Sequence, residues 1–137
     1  MALHVEVVTP RGAALSADAD EVVAPGVLGE FGVLPGHLPL LSGLRPGVLR
    51  LRHGGKQELV AVGAGFVQVG ARDHVIVLTE TCEKSAQVDV EVARRDLAAA
   101  DEKLRAWSRE TGAEFQRAVL DRAWAEARIK VSESRRA

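Results

Sequence analysis

A chain of 137 residues, 47% apolar and carrying a net charge of −1, has material for one packed domain plus a small appendage, and no charge surplus for a broad nucleic-acid-binding face. A single cysteine, Cys82, excludes an intrachain disulfide framework and a CxxC metal pair; 4% aromatic content without tyrosine argues against a sugar- or base-stacking platform. No run reaches the roughly 18 consecutive apolar residues of a membrane span, and the opening Met1-Ala-Leu-His-Val-Glu6 lacks the pattern of a signal peptide. Any link to a membrane is therefore expected to run through another protein.

The first part of the chain is written in the grammar of strands. Leu3, Val5 and Val7 alternate with His4 and Glu6, a period of two. Leu49 and Leu51 alternate with Arg50 and Arg52, and Val60 with Val62 and Val67 with Val69 repeat the pattern. His53-Gly-Gly-Lys56 reads as a hairpin turn, and Gly70-Ala-Arg-Asp73 as another. His74-Val-Ile-Val-Leu-Thr-Glu80 is a continuous apolar run, which suits a strand covered on both faces. All five prolines, and every glycine but Gly112, precede residue 71. Turn residues at such short intervals predict an all-β sandwich over about residues 2–84.

After Ser85 the grammar changes. Ala93, Leu97, Ala100, Leu104 and Trp107 follow steps of four and three, the apolar stripe of an amphipathic helix, and Asp89 is placed to cap its start. Thr111-Gly112 breaks the pattern. A second stripe follows at Leu120, Trp124, Ala127 and Val131, led by Phe115. Two helices joined by so few residues fold back as an antiparallel hairpin, and alanines 98–100 would let them approach closely. The expected fold is α+β with segregated regions: a sandwich domain over 1–86 and a helical hairpin over 87–137. Such an alanine-rich hairpin buries little, so its net stability should be only a few kcal/mol at best. The last ten residues hold Arg128, Lys130, Arg135 and Arg136 against Glu133. That end is either a solvated helix terminus favoured by the dipole or a basic tip for an acidic partner.

Signs of catalysis are weak. There is no GxxxxGK[ST] phosphate loop and no GxSxG elbow. Gly63-Ala-Gly65 opens like a dinucleotide fingerprint, but Gln68 stands where the third glycine belongs, and a tight turn explains the spacing better. His4, His37, His53 and His74 are scattered without metal spacing, and Cys82 has no nearby histidine to activate it. Neither a metal nor a cofactor is expected.

The stretch Gly29-Glu-Phe-Gly-Val-Leu-Pro-Gly-His-Leu-Pro-Leu-Leu-Ser-Gly-Leu-Arg-Pro-Gly-Val-Leu-Arg-Leu51 resembles the segment "GEFGVLPGHxPLLxxLxPGxLR" of the epsilon subunit of F-type ATP synthases. Leu3 to Pro10, Val62 to Val69, Val75 to Glu80 and Ala86 to Asp89 extend the resemblance over essentially the whole chain. The residues themselves allow a physical reading: Pro35-Gly36 sets a turn, and Pro39 keeps Leu38, Leu40 and Leu41 on an irregular connection. A connection this apolar is either buried beneath the sandwich or packed on a partner.

The resemblance implies a non-catalytic subunit that sits on the ring of c subunits, clasps gamma and turns with both. It implies Glu30, with Phe31, His37, Leu38 and Leu41, as contacts to the c-ring or gamma. It implies an arm that lies on the sandwich or extends along gamma into the alpha–beta head, where it blocks ATP hydrolysis. Arg122, Arg128 and Lys130, with Arg117 as a weaker member, would be the arm's contacts to acidic segments of that head; plain surface charge is the other reading. It implies a peripheral position on the cytoplasmic face of a bacterial inner membrane, or the stromal face of the thylakoid in a plastid. Some members bind ATP through "[IL]DxxRA"; here Val88-Asp-Val-Glu-Val-Ala93 puts Val92 in the arginine's place. Other arginines of that pocket fall on Ala99 and Trp124, with only Arg128 kept, so no useful nucleotide binding is expected. The competing reading of the whole chain is a free-standing interaction module.

Overall fold

The computed structural model describes residues 2–106 and 112–134; Trp107, Thr111, Arg135 and Arg136 lie outside the described residues. Ten strands come first: β1 (Leu3–Thr9), β2 (Gly12–Ala19), β3 (Glu21–Gly26), β4 (Gly29–Val33), β5 (Leu40–Leu44), β6 (Gly47–His53), β7 (Lys56–Val62), β8 (Gly65–Val69), β9 (His74–Thr79) and β10 (Cys82–Lys84). Two helices follow, α1 (Val90–Ala106) and α2 (Ala113–Glu133). The strands form one sheet in the order β10-β7-β6-β3-β5-β8-β9-β1-β2, with β4 also paired to β3. It wraps far enough to bring β2 beside β6. Neighbours are antiparallel except β1 and β9, which run parallel.

The alternation read from the sequence decides which side chains meet inside. Leu3, Val5, Val7, Leu49, Leu51, Val60, Val62, Val67, Val69, Val75 and Val77 share one core cluster. Such side chains contribute about 1.5–3 kcal/mol each when fully buried, which makes the sandwich the stable part of the chain. The β6–β7 hairpin turns at Gly54 and Gly55, both at positive φ, with His53 opposite Lys56. Asp20 accepts the Gly54 N–H at 2.9 Å, and that bond holds its carboxyl below the usual range. The 70–73 turn contains a short 3-10 segment with Arg72 at φ 60°.

Asp89 caps α1 as expected, accepting the N–H groups of Glu91 and Val92 at 3.1 and 3.3 Å. The helices pair antiparallel, with Ala93 and Ala100 buried on α1 and Ala118 and Ala125 on α2.

Three expectations are corrected. Leu78, within the run read as covered on both faces, is 45% exposed; its neighbours Val77 and Thr79 are buried, so β9 has one wet face. Leu120 is exposed, because the α2 face that meets α1 runs through Ala118 and Ala125. Among alanines 98–100 only Ala100 is buried.

Gly65 sits where β8 crosses β9 most closely: a Cβ there would run into the Leu78 carbonyl oxygen. Gly65→Ala is expected to destabilise the sandwich by about 1–3 kcal/mol through forced backbone displacement, read as a lower urea midpoint with an unchanged slope.

Candidate functional site

The Pro-Gly-His segment is a turn from Leu34 to His37, closed by the His37 N–H on the Leu34 carbonyl at 3.1 Å, with Gly36 at φ 86°. Asp73 accepts the Gly36 N–H at 2.7 Å and ties this turn to the β8–β9 connection. His37 Nδ1 donates to the Leu38 carbonyl at 2.6 Å, which fixes the ring. Leu38, 78% exposed, leads from the turn into β5; Leu40 and Leu41, expected on an irregular connection, instead open that strand in register with Val69 and Gln68, and Leu41 is exposed.

Leu41 belongs to a larger apolar surface. Phe66 pairs with Leu78, so these two side chains stand side by side on the outer face of β8 and β9; on β5 Phe66 meets Gly43, and Leu41, the partner of Gln68, lies diagonal to it. The Val27 methyl groups lie over Gly43, close enough that a Cβ there would meet them at 3.1 Å. Val27, Leu28, Leu34, Phe66 and Leu78 are all substantially exposed. Sequence reading missed Val27, Phe66 and Leu78; the available signal was that Phe66 on β8 and Ile76 and Leu78 on β9 take the outward positions of their strands although apolar.

Glu30 and Phe31, adjacent in β4, necessarily point to opposite faces. Phe31 packs against the sandwich core. Glu30 accepts a hydrogen bond from Arg50 at 3.1 Å and lines a cleft of about 630 Å³ between sandwich and arm, with Arg45, Arg122 and Lys130. The five candidates on the sandwich thus divide, with Leu38 and Leu41 on the apolar side and Glu30 on the arm side.

The arm reaches the sandwich chiefly through α2. Ala127, Val131 and Trp124 pack with Ala61, Val88, Val48, Leu59 and Val90 in a second, smaller apolar cluster. The Arg128 side chain is only 8% exposed, donates to Asp96 of α1 at 2.7 Å, and lies 5.2 Å from the Trp124 ring centre. Its Nε is buried with no hydrogen-bond partner among the described residues. Arg122 bridges the helices to Asp101 at 2.6 Å and also meets Glu126 at 2.6 Å; the Asp101 bond and then the Glu126 charge raise its pKa further. Arg117 pairs with Asp121 at 3.1 Å on the exposed surface. Lys130 is exposed at the cleft.

Neighbouring groups offer little chemistry. His4 and His74, read as scattered, are register partners on β1 and β9 with ring centres 5.2 Å apart, and His4 reaches Asp18 at 3.0 Å. Even so, no group of three metal-binding side chains is assembled among the described residues. Burial pushes the Cys82 thiol up, the opposite of an activated nucleophile. No described helix is long and apolar enough to cross a membrane.

A family model described as ATP synthase, Delta/Epsilon chain, beta-sandwich domain matches residues 2–85. The ATP synthase epsilon chain of Moorella thermoacetica is 40% identical over 131 residues, covering 95% of this chain and 96% of that one. The chain belongs to the ATP synthase epsilon family. The epsilon chain of Myxococcus xanthus is 47% identical over 108 residues, 79% of each chain. In fold it is similar to a chain of the Euglena gracilis mitochondrial ATP synthase, in a structure of OSCP/F1/c-ring in rotational state 1. That match has a TM-score of 0.74 and 22% identity, over 92% of this chain and 78% of the other.

Within this epsilon chain the positions tied to the nucleotide motif come together in space. Ala99, Trp124 and Arg128 line one cavity of about 310 Å³ between the helices, with Asp96, Lys103 and Asp121. Two carboxylates face two cations there, and Arg128 is already engaged by Asp96. A polyanion entering this cavity meets no surplus of positive charge. Calorimetry of the isolated chain with ATP is expected to give no saturable heat up to millimolar nucleotide; tighter binding would mean Asp96 yields Arg128 to the ligand.

Proposed function

We propose that this chain is a non-catalytic central-stalk subunit of a proton-translocating F-type ATP synthase, passing rotation of the c-ring through gamma to the catalytic head. The observation that carries the reading is the two-sidedness of the sandwich. One outer face, over β6 and β7, is covered by the chain's own α2, while the face of β5, β8 and β9 presents Leu41, Phe66 and Leu78 to solvent. An exposed apolar patch on a rigid sheet, interrupted only at Gln68, suits a lasting protein contact, and gamma is its proposed occupant. Leu38, His37 and the adjoining turn are proposed to face the polar loops of the c-ring, and Glu30 to join them when the arm leaves its cleft. The subunit makes and breaks no bonds. Its place is peripheral, on the cytoplasmic face of a bacterial inner membrane, a reading favoured by the bacterial relatives.

The arm is proposed to regulate. Its helices lie down in this structure, and extension would carry α2 toward the alpha and beta subunits and restrain ATP hydrolysis. The small cluster that docks α2 suits an element with two positions.

Replacing Phe66 and Leu78 together by glutamate should leave the far-ultraviolet dichroism unchanged and lower affinity for a purified gamma-containing complex at least tenfold. Unaltered binding would remove gamma from that face. In the assembled complex, deleting residues 88–137 should raise ATP hydrolysis several-fold and spare coupled synthesis; unchanged hydrolysis would leave the arm without an inhibitory role.

A further inference from the structure

Arg128 stands at a junction of three elements. Its guanidinium, on α2, is bonded to Asp96 of α1. Glu83 of β10, a half-buried carboxylate, lies on the part of the sandwich that α2 packs against, because its strand partner Ala61 shares a cluster with Ala127 and Val131 of α2. Across the sheet Glu83 faces Ala61; the next residue, Lys84, pairs with Val60 and so stands on the other face of the strand, and Ser85–Gln87 brings no charge. A buried cation, a half-buried carboxylate and an exposed one thus stand where the arm meets the strands.

We propose that Glu83, Arg128 and Asp96 form the catch of the arm: Arg128 makes the two helices one body, and the ionisation of Glu83 sets how firmly that body lies on the sandwich. Three observations support the single body. α1 packs on α2, and the apolar attachment to the sandwich runs chiefly through Trp124, Ala127 and Val131 of α2, α1 adding only Val90 at its start. Arg122 adds a second bridge between the helices, to Asp101. Lifting α2 therefore takes α1 with it.

The direction of the Glu83 effect follows from its surroundings. Burial raises its carboxyl above the usual carboxylate range; Arg128 works against this and Asp96 with it. Lifting the arm returns Glu83 to water, so a proton binds the docked state more tightly than the lifted one. Docking is then firmest below the ordinary carboxylate pKa and weakens as pH rises through the raised one. At neutral pH the charged Glu83 loosens the arm.

This deepens the inhibitory-arm reading and rests on it only for its consequence in the complex. The test is amide hydrogen exchange of the full isolated chain across pH, corrected for intrinsic rates, with α1 and α2 amides compared to those of β9. In the natural sequence, helix protection should fall as pH rises toward 7. Glu83→Gln should raise helix protection at pH 7 by roughly threefold or more and flatten that dependence. Arg128→Gln should lower protection in both helices together and leave β9 unchanged. Unchanged or lower helix protection in Glu83→Gln, or α1 keeping its protection while α2 loses it in Arg128→Gln, would overturn the catch. Hydrolysis by complexes carrying the same variants separates the two readings. Protection that shifts as described without any change in hydrolysis sinks the inhibitory arm alone; hydrolysis that shifts without any change in protection sinks the catch alone.

Discussion

The attachment of α2 to the sandwich is the contact on which the behaviour of the chain turns. It is a small cluster: only Ala61, Ala127, Val88 and Val131 are buried in it, with Val48, Leu59, Val90 and Trp124 partly covered around them. Each methylene-sized group taken from water is worth about 0.8 kcal/mol, so alanines supply little next to the valines and leucines that fill the sandwich. The helix-to-helix seam is likewise of alanine, at Ala93, Ala100, Ala118 and Ala125. Small residues allow close approach, and for the same reason leave little to lose on separation. A stiff body and a lightly held one follow from which residues fill each core.

Burying a guanidinium in so modest an interface costs more than it returns unless it is paired. Arg128 has Asp96 at 2.7 Å and the face of Trp124 beside it, yet its Nε has no partner among the described residues. A leucine of similar bulk would hold the arm more firmly. An incompletely satisfied arginine instead makes docking depend on the charge of its neighbours, which suits the two-position arm proposed above. The sandwich has two unlike outer faces: among the described residues nothing covers Phe66 and Leu78 on β8 and β9, while the face of β6 and β7 is closed by α2.

The sequence disclosed most of this framework through alternation and punctuation. Leu3, Val5 and Val7 point inward because a strand repeats every two residues, Gly54-Gly55 turn because few other residues accept positive φ, and Asp89 caps because its carboxylate meets free N–H groups. Where the reading failed, the physical signal was ambiguous or went unused. A run such as Val75-Ile-Val-Leu78 looks the same whether its outer face meets a helix, a partner or water. Period alone put Leu120 on the buried stripe, while the actual seam chose the smaller Ala118 and Ala125. The division of Glu30 from Phe31 was legible, since neighbours in a strand face opposite ways. The pairing of Asp96 with Arg128 joins positions 32 apart and depends on helix rotation, which no local pattern specifies.

The arginines first read as contacts for an acidic partner gain a sharper meaning from their present neighbours. Arg122 holds Asp101 and Glu126, Arg128 holds Asp96, and Arg117 holds Asp121. None is waiting as a free charge. An acidic surface that drew the arm away would offer carboxylates in exchange for carboxylates, so much of the Coulomb energy cancels. What remains is the difference in burial and geometry, greatest at Arg128 and least at exposed Arg117. The balance between docked and extended arms would then be set less by how strongly the cations are attracted than by the apolar cluster and the desolvated group at Glu83, where the two positions differ most.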